Sequence, residues 1–460
     1  MINPGFSGLD GFPEEEITAA DFGKDFLWGV ATSAYQTEGA FNLEGRGMSV
    51  WDHFSHRGKA RNHETGDTAC DFYHTYPADI QLVRDLNFNV FRFSLSWPRI
   101  LPSGKTAVNQ KGIDFYQRVI DECLKGGIEP WITLYHWDLP QELEERGGWK
   151  NREVVDRFVE YALLCANTFG DRVKNWMVLN EPFSYTTLGY LLGMHAPGRY
   201  GVRNFIPAVH HAALCQGAGG RVLRENIKNA RVGTTYSIIP VESYEKGGED
   251  LPAVRRYHAL LNRLFIEPAC GLGYPVADLP MLERIGKFVR PEDPSLMKFD
   301  FDFIGVQNYT RIVVRNSRFI PYLRGIPVSP KRKKWNPVTD MGWEVYPEGI
   351  YRALKFIGEY PVRDIYVTEN GAAFRDIPEP GGVHDPDRIR FYRSYLRQVL
   401  KAKNEGLNIK GYFAWSLLDN FEWAEGYSKR FGLVYVDFKS QKRHIKDSGF
   451  WFRDFLRENK

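Results

Sequence analysis

Cysteine is scarce in this chain and organises nothing. The five cysteines, Cys70, Cys123, Cys165, Cys215 and Cys270, are scattered and odd in number. None forms a Cys-x-x-Cys pair or has histidines at zinc-ligand spacing, so a disulfide framework and a structural zinc site are excluded, and reduced, buried thiols are expected. No run of about 18 apolar residues could span a bilayer. The opening MINPGFSGLDGFPEEEITAADFG has neither the basic nor the apolar segment of a secretion signal. A soluble, cytoplasmic protein without a membrane partner is the expectation. A formal net charge of +3 over 460 residues gives no argument for nucleic acid, and no such partner is expected. Motifs for cofactors are missing as well. There is no HExxH, EF-hand or phosphate-loop lysine, the GAGG at 217–220 lies inside a helical pattern, and the adjacent His210 and His211 face different sides of a helix. Neither a metal nor any other cofactor is expected, and the oligomeric state is not encoded in these features. The sequon Asn308-Tyr309-Thr310 closes an apolar strand and is not expected to carry sugar.

What the chain does have is a core: 43% of it is hydrophobic and 15% aromatic. Short apolar runs recur along its length: FLWGVATSA, NVFRFSLSW, PWITLYHW, NWMVLN, RVGTTYSII, FDFIGVQNYT, DIYVTENG and IKGYFAWSLLD. Between them lie segments of helical periodicity such as GIDFYQRVIDECLKGG and NREVVDRFVEYALLCANTFG, the second opening on Asn151 as a helix cap. Apolar strands alternating with helices imply a parallel sheet, and eight such units suit an α/β fold of the (β/α)8 TIM-barrel type better than an open doubly wound sheet. No linker or shift of composition divides the chain, so a single domain over 1–460 is expected, with an N-terminal extension at 1–20. The basic, proline-containing stretch within 311–340 reads as a long loop and solvated rim at the barrel mouth.

Functional groups of such a barrel gather at the C-terminal ends of the strands. The runs end in Gln36, in Arg92 within its strand, in His136-Trp137, Asn180-Glu181, Gln307 and Tyr309, Glu369, and Trp415 followed by Glu422-Trp423. One glutamate at a strand end is commonly a salt-bridge partner. Two of them, Glu181 ending the fourth run and Glu369 the seventh, lie roughly opposite across a mouth, where paired carboxyls can flank one bond. Amides, an imidazole and indoles around them suit a polyhydroxylated ring, with planar groups for its hydroxyls and aromatic faces for its C–H side. A cofactor-free hydrolase acting on carbohydrate is the reading that follows.

The segments FLWGVATSAYQTEGA, VLNEP and VTENG carry a further signal, because over about residues 20–455 the chain resembles the family 1 glycoside hydrolases, the β-glucosidase family. By that resemblance Glu369 is the nucleophile and Glu181 the acid/base of a retaining double displacement, with their carboxyls about 5–5.5 Å apart. Arg92 and Tyr309 are expected to favour the ionised Glu369, and Asn180 to support catalysis at the sugar's 2-hydroxyl. Gln36, His136, Trp137, Asn180, Trp415, Glu422 and Trp423 are expected to bind the glucosyl ring, Gln307 and Phe431 to contribute, and Trp343 to wall the aglycone position. Glu422-Trp423 stands where phospho-sugar members carry Ser and Lys, and Glu181 where thioglucoside-cleaving members carry glutamine, so neither specificity is implied. Val178 and Gln307-Asn308 depart from the family pattern, and Val178 is expected to alter hydrogen bonding around Glu181. The resemblance implies a retaining exo-β-glucosidase for small β-glucosides and oligosaccharides, with side activity on β-galactosides and β-fucosides and some transglycosylation. A non-catalytic carbohydrate-binding barrel is the alternative.

Overall fold

The computed structural model describes residues 16–105, 107–333 and 336–457. All eight apolar runs form strands: β1 (Leu27–Ala31), β2 (Val90–Ser94), β3 (Glu129–Tyr135), β4 (Asn175–Asn180), β5 (Arg231–Ser237), β6 (Phe303–Gln307), β7 (Asp364–Asn370) and β8 (Ile409–Trp415). Each pairs in parallel with its neighbours, and β8 pairs with β1 to close the barrel. Helices follow the strands: α1 (Phe72–Asp85), α2 (Gln110–Lys125), α3 (Glu153–Phe169), α4 (Val202–Asn226), α5 (Leu251–His258), α6 (Glu348–Ile357), α7 (Pro386–Asn404) and α8 (Asp447–Arg457). The closed alternation is the one expected for strands too apolar to leave either face in water. Among the described residues, no helix is long and apolar enough to cross a membrane.

The main core lies between strands and helices, and a second cluster fills the N-terminal end of the barrel interior with Val90, Trp131, Met177, Phe303, Tyr366 and Phe413. Small residues make room for these rings. Gly29 sits opposite Phe413 and Gly233 opposite Phe303, and a Cβ on either glycine would stand 2.5 and 2.3 Å from the facing ring.

Local expectations met three adjustments. Asn151 lies one residue before the cap of α3, and its Oδ1 accepts from the Glu153 N–H at 3.1 Å, so it still satisfies a first-turn donor. The 311–340 stretch is more than a loop: Ile312–Asn316 pairs with Val241–Ser243 and with Gly325–Pro327 in a small three-stranded sheet. Val178 does not face Glu181. It packs outward on α4, where Gly219 leaves space that a Cβ would fill to within 2.7 Å. GAGG is helical, as expected. Cys70, Cys123, Cys165 and Cys215 are buried free thiols and Cys270 is half-buried. Asn308 is fully buried, its amide donating to the Ile238 carbonyl at 2.8 Å, which removes the sequon from the surface. Of the expected N-terminal extension, residues 1–15 lie outside the described residues, as does Lys334 of the basic rim.

Candidate active site

Both glutamates stand where a strand loses its register. On β4, Met177 and Asn180 pair with Gly233 and Thr235, three steps against two. On β7, Val367 and Glu369 pair with Val306 and Gln307, two steps against one. Such irregularities re-aim side chains at barrel rims. Glu181 then takes a left-handed backbone, φ 43°, and caps the short helix Pro182–Thr186, whose first-turn proline has no N–H to lose. The two carboxyls share one cavity of about 470 Å³ with His136, Trp137, Asn180, Tyr309, Trp343, Trp415, Glu422, Trp423 and Phe431.

Glu369 is held by two donors. Arg92 pairs with Oε1 and also donates to the Thr368 carbonyl at 3.2 Å, while the Tyr309 hydroxyl donates to Oε2 at 2.7 Å. Burial raises the Glu369 pKa above the ordinary carboxylate value, against the pull of Arg92 and Tyr309, so the expected partners are present but do not outweigh desolvation. Among the described residues Glu181 has no ion-pair partner, and the Arg92 charge only partly offsets its shift. Burial, and then the charge of Glu369, push it up to about 8, although Ser184 donates to its Oε2 at 2.6 Å. Glu181 therefore keeps its proton at neutral pH.

Asn180 is oriented by a crowd of donors. Its Oδ1 accepts from Arg92 at 2.5 Å, Gln307 at 2.8 Å and Thr235 at 2.9 Å, which turns its NH2 toward His136 Nε2 at 3.1 Å. His136 Nε2 is then an acceptor and Nδ1 carries the hydrogen. Burial and the Arg92 charge hold this ring's pKa well below its usual value, so it is neutral, and Nδ1 has no protein partner. The result is a neutral His136 ring whose Nδ1 is buried without a protein partner, and an Asn180 amide with a second hydrogen not spent on His136.

The aromatic side is a stack. His136 lies 6.0 Å from Trp415 and 5.7 Å from Trp423, both within 25° of parallel, and Trp137 spends its N–H on the Asn180 carbonyl at 2.9 Å. Glu422, pushed up to about 8 by burial and by the charges of Glu369 and Glu181, accepts from Gln36 at 3.3 Å. Trp343 and Phe431 pack with Tyr309 and Trp415. Two expected ligands sit behind the wall instead of in it. Gln36 reaches the cavity through Glu422, and Gln307 holds Asn180 from behind, so neither is among the lining residues. Sequence reasoning missed Ser184 and Ser237, which bond Glu181, Thr235, which bonds Asn180, and Thr133, which accepts from Arg92 at 3.2 Å. Ser184 had a signal, since its place three residues after a strand-end glutamate is that of a capping partner.

These features match known proteins over almost the whole length. The family model for glycosyl hydrolase family 1 matches residues 18–460. The chain belongs to that family. It is 44% identical over 446 residues to β-glucosidase A of Thermotoga maritima, covering 95% of this chain and 98% of that one. A bifunctional β-D-glucosidase/β-D-fucosidase of Bifidobacterium breve is 39% identical, with 95% and 98% covered. The solved structure of a Thermotoga maritima β-glucosidase in complex with glucoimidazole superposes with a TM-score of 0.89 at 44% identity, over 95% and 98% of the two chains. Family 1 membership fits the paired carboxyls and the closed barrel alike.

Proposed function

We propose that this family 1 enzyme is a retaining exo-β-glucosidase acting on small β-glucosides and oligosaccharides, as a single domain. The observation that carries the reading is the pair of carboxyls at one cavity with different partners: Glu369 between Arg92 and Tyr309, and Glu181 buried with no ion pair among the described residues. Glu369 attacks the anomeric carbon while the Glu181 proton passes to the glycosidic oxygen, and the aglycone leaves as an alcohol. Esterification removes the Glu369 charge, which is part of what raises Glu181, so Glu181 is easier to ionise in the intermediate. It then takes a proton from the water that attacks the glycosyl ester, releasing the sugar and restoring both groups.

The second N–H of Asn180 suits the 2-hydroxyl, with the neutral His136 ring beside it. Glu422 takes hydroxyls at the far end of the ring, and the indoles its C–H face. The name of the Bifidobacterium breve relative supports side activity on β-fucosides. Side activity on β-galactosides and transfer to sugar acceptors complete the proposal. The test is to follow an aryl β-D-glucoside by NMR in the first minutes. β-Glucose is the expected first product, and α-glucose would overturn the double displacement.

A further inference from the structure

The glycosidic reaction makes no use of the basic stretch that follows β6. Between Phe303 and Thr339 there is no aspartate or glutamate against eight arginines and lysines, in a chain whose formal net charge is only +3. Ile312–Asn316 and Gly325–Pro327 pair as a hairpin whose tip is 317–324. Strand alternation sorts its side chains. Val314 is buried against Ala253 and Tyr257 of α5, with Leu323 packed alongside, whereas Arg315 and Ile326, paired across the hairpin, are exposed. The tip is tied to α5: the Tyr257 hydroxyl donates to the Gly325 carbonyl at 3.1 Å, and Arg256 to the carbonyls of Leu323 and Arg324 at 2.6 and 3.2 Å. On this support Phe319 is 83% exposed, and Ile320, Tyr322 and Ile326 are exposed with it. Arg315, Arg318 and Arg324 stand among them, exposed and without an ion-pair partner among the described residues. Arg284 adds a further cation, donating to the Tyr322 hydroxyl at 3.2 Å. Asp250, the acid that touches the hairpin, is buried and accepts from the N–H groups of Glu245 at 2.8 Å and Asn316 at 2.6 Å.

Exposed apolar side chains set among unpaired arginines fit a partner that is apolar within and anionic at its surface. We infer that this tip docks the enzyme on a bilayer rich in anionic lipid, with Phe319 and Ile320 entering the headgroup boundary and Arg315, Arg318 and Arg324 on the headgroups. A second copy of this chain fits worse, because a two-fold contact would set the arginines of one tip against those of the other. Single-stranded nucleic acid would use the arginines and the two rings, but Ile320, Pro321 and Ile326 offer no flat face on which a base can stack. No membrane partner was expected from a chain without a spanning or signal segment, and the small net charge concealed how the cations cluster. Docking on a surface needs neither segment, and it stands whether or not the glucosidase reading does.

The experiment is co-sedimentation of the full chain with sucrose-loaded vesicles, of phosphatidylcholine alone or mixed equally with phosphatidylglycerol, at about 0.1 M salt, where the Debye length is about 10 Å. The enzyme should pellet with the mixed vesicles and stay in solution with phosphatidylcholine alone. An arginine near such a surface is worth on the order of fivefold in partitioning, so the triple variant Arg315→Gln, Arg318→Gln, Arg324→Gln should bind about 100-fold more weakly. Phe319→Ser should bind about tenfold more weakly, having lost its buried ring. Both variants should keep the wild-type melting temperature, since all four side chains are exposed. Equal pelleting with both kinds of vesicle, none with either, or wild-type partitioning of the variants overturns the inference. A single-stranded oligonucleotide bound by an enzyme that does not pellet would assign the tip to nucleic acid. A dimer in sedimentation velocity that Phe319→Ser dissociates, again without pelleting, would assign it to a second copy, and either result overturns the membrane reading.

Discussion

At the N-terminal ends of the strands the barrel interior is closed by Trp131, whose ring lies 4.8 Å from Tyr366 and 5.1 Å from both Phe303 and Phe413. At the C-terminal ends, a few residues further along the same strands, it holds Arg92, Asn180, His136 and the two glutamates. The lower end buries mainly apolar area, with Trp131 Nε1 unpartnered and the Arg231–Asp364 ion pair at its rim. The upper end buries charge, keeps His136 Nδ1 unpartnered and holds Glu181 and Glu422 at about 8. Stability and reactivity are thus separated along one strand direction, and a substitution should disturb one or the other according to its height in the barrel.

The largest effect expected is at the upper end. Glu369→Ala removes the attacking atom, and kcat/KM on an aryl β-glucoside should fall at least about 10⁴-fold, which is ~5.4 kcal/mol of transition-state stabilisation. The melting temperature should fall modestly, because the buried Arg92 guanidinium and the Tyr309 hydroxyl lose this partner, while the folded enzyme stays inactive. Comparable loss of activity and of fold would mean that the two ends are not separable.

The mirror substitution is Trp131→Ala, which empties the plug. A ring of this size buried at 0% exposure should cost about 3–5 kcal/mol in denaturant unfolding. The folded fraction should keep kcat within a few-fold, since Trp131 is not among the cavity-lining residues. A kcat that collapses with Trp131 would show that the plug also sets the geometry of the mouth.

The same division explains what the sequence disclosed. The eight runs were legible because strands buried on both faces are apolar throughout, as NWMVLN and DIYVTENG are. Glu181 and Glu369 were legible because a carboxylate ending such a run has no part in the core. Side chains acting through another residue were harder to see. Gln307 has the composition of a sugar ligand, and only the third dimension reveals that its amide is spent on Asn180. Val178 reads as a neighbour of Glu181 along the chain, but strand alternation turns it toward α4. The apolar cavity residues Leu188, Ile239, Leu261 and Met341 were invisible for a related reason: Leu188 and Leu261 sit in single π-helical turns, Thr187–Leu191 and Ala259–Arg263, and Ile239 and Met341 lie outside helices and strands, where no periodicity predicts which apolar residue turns inward.

The smallest effect expected distinguishes the glutamates by pH. With Glu181 at about 8, kcat/KM should be flat through neutrality on its basic side and fall tenfold per pH unit above about 8, as the proton needed by the leaving oxygen is lost. Glu369→Gln removes the neighbouring charge, so the Glu181 carboxyl, followed by ¹³C NMR, should titrate at lower pH. An unmoved titration would mean that burial alone sets it. Folding carries the same signature. Folded Glu181 holds its proton up to about 8, whereas the unfolded chain releases it near 4.5, so the stability it contributes is complete below 4.5 and is lost as pH rises toward 8. Glu181→Gln cannot ionise, and its stability curve should be flatter over that interval. Glu422 is raised in part by the Glu181 charge, so the difference between the two curves reports Glu181 together with its coupling to Glu422. Parallel curves would mean that Glu181 ionises alike in the folded and unfolded chains and would remove it as the neutral acid of the upper end.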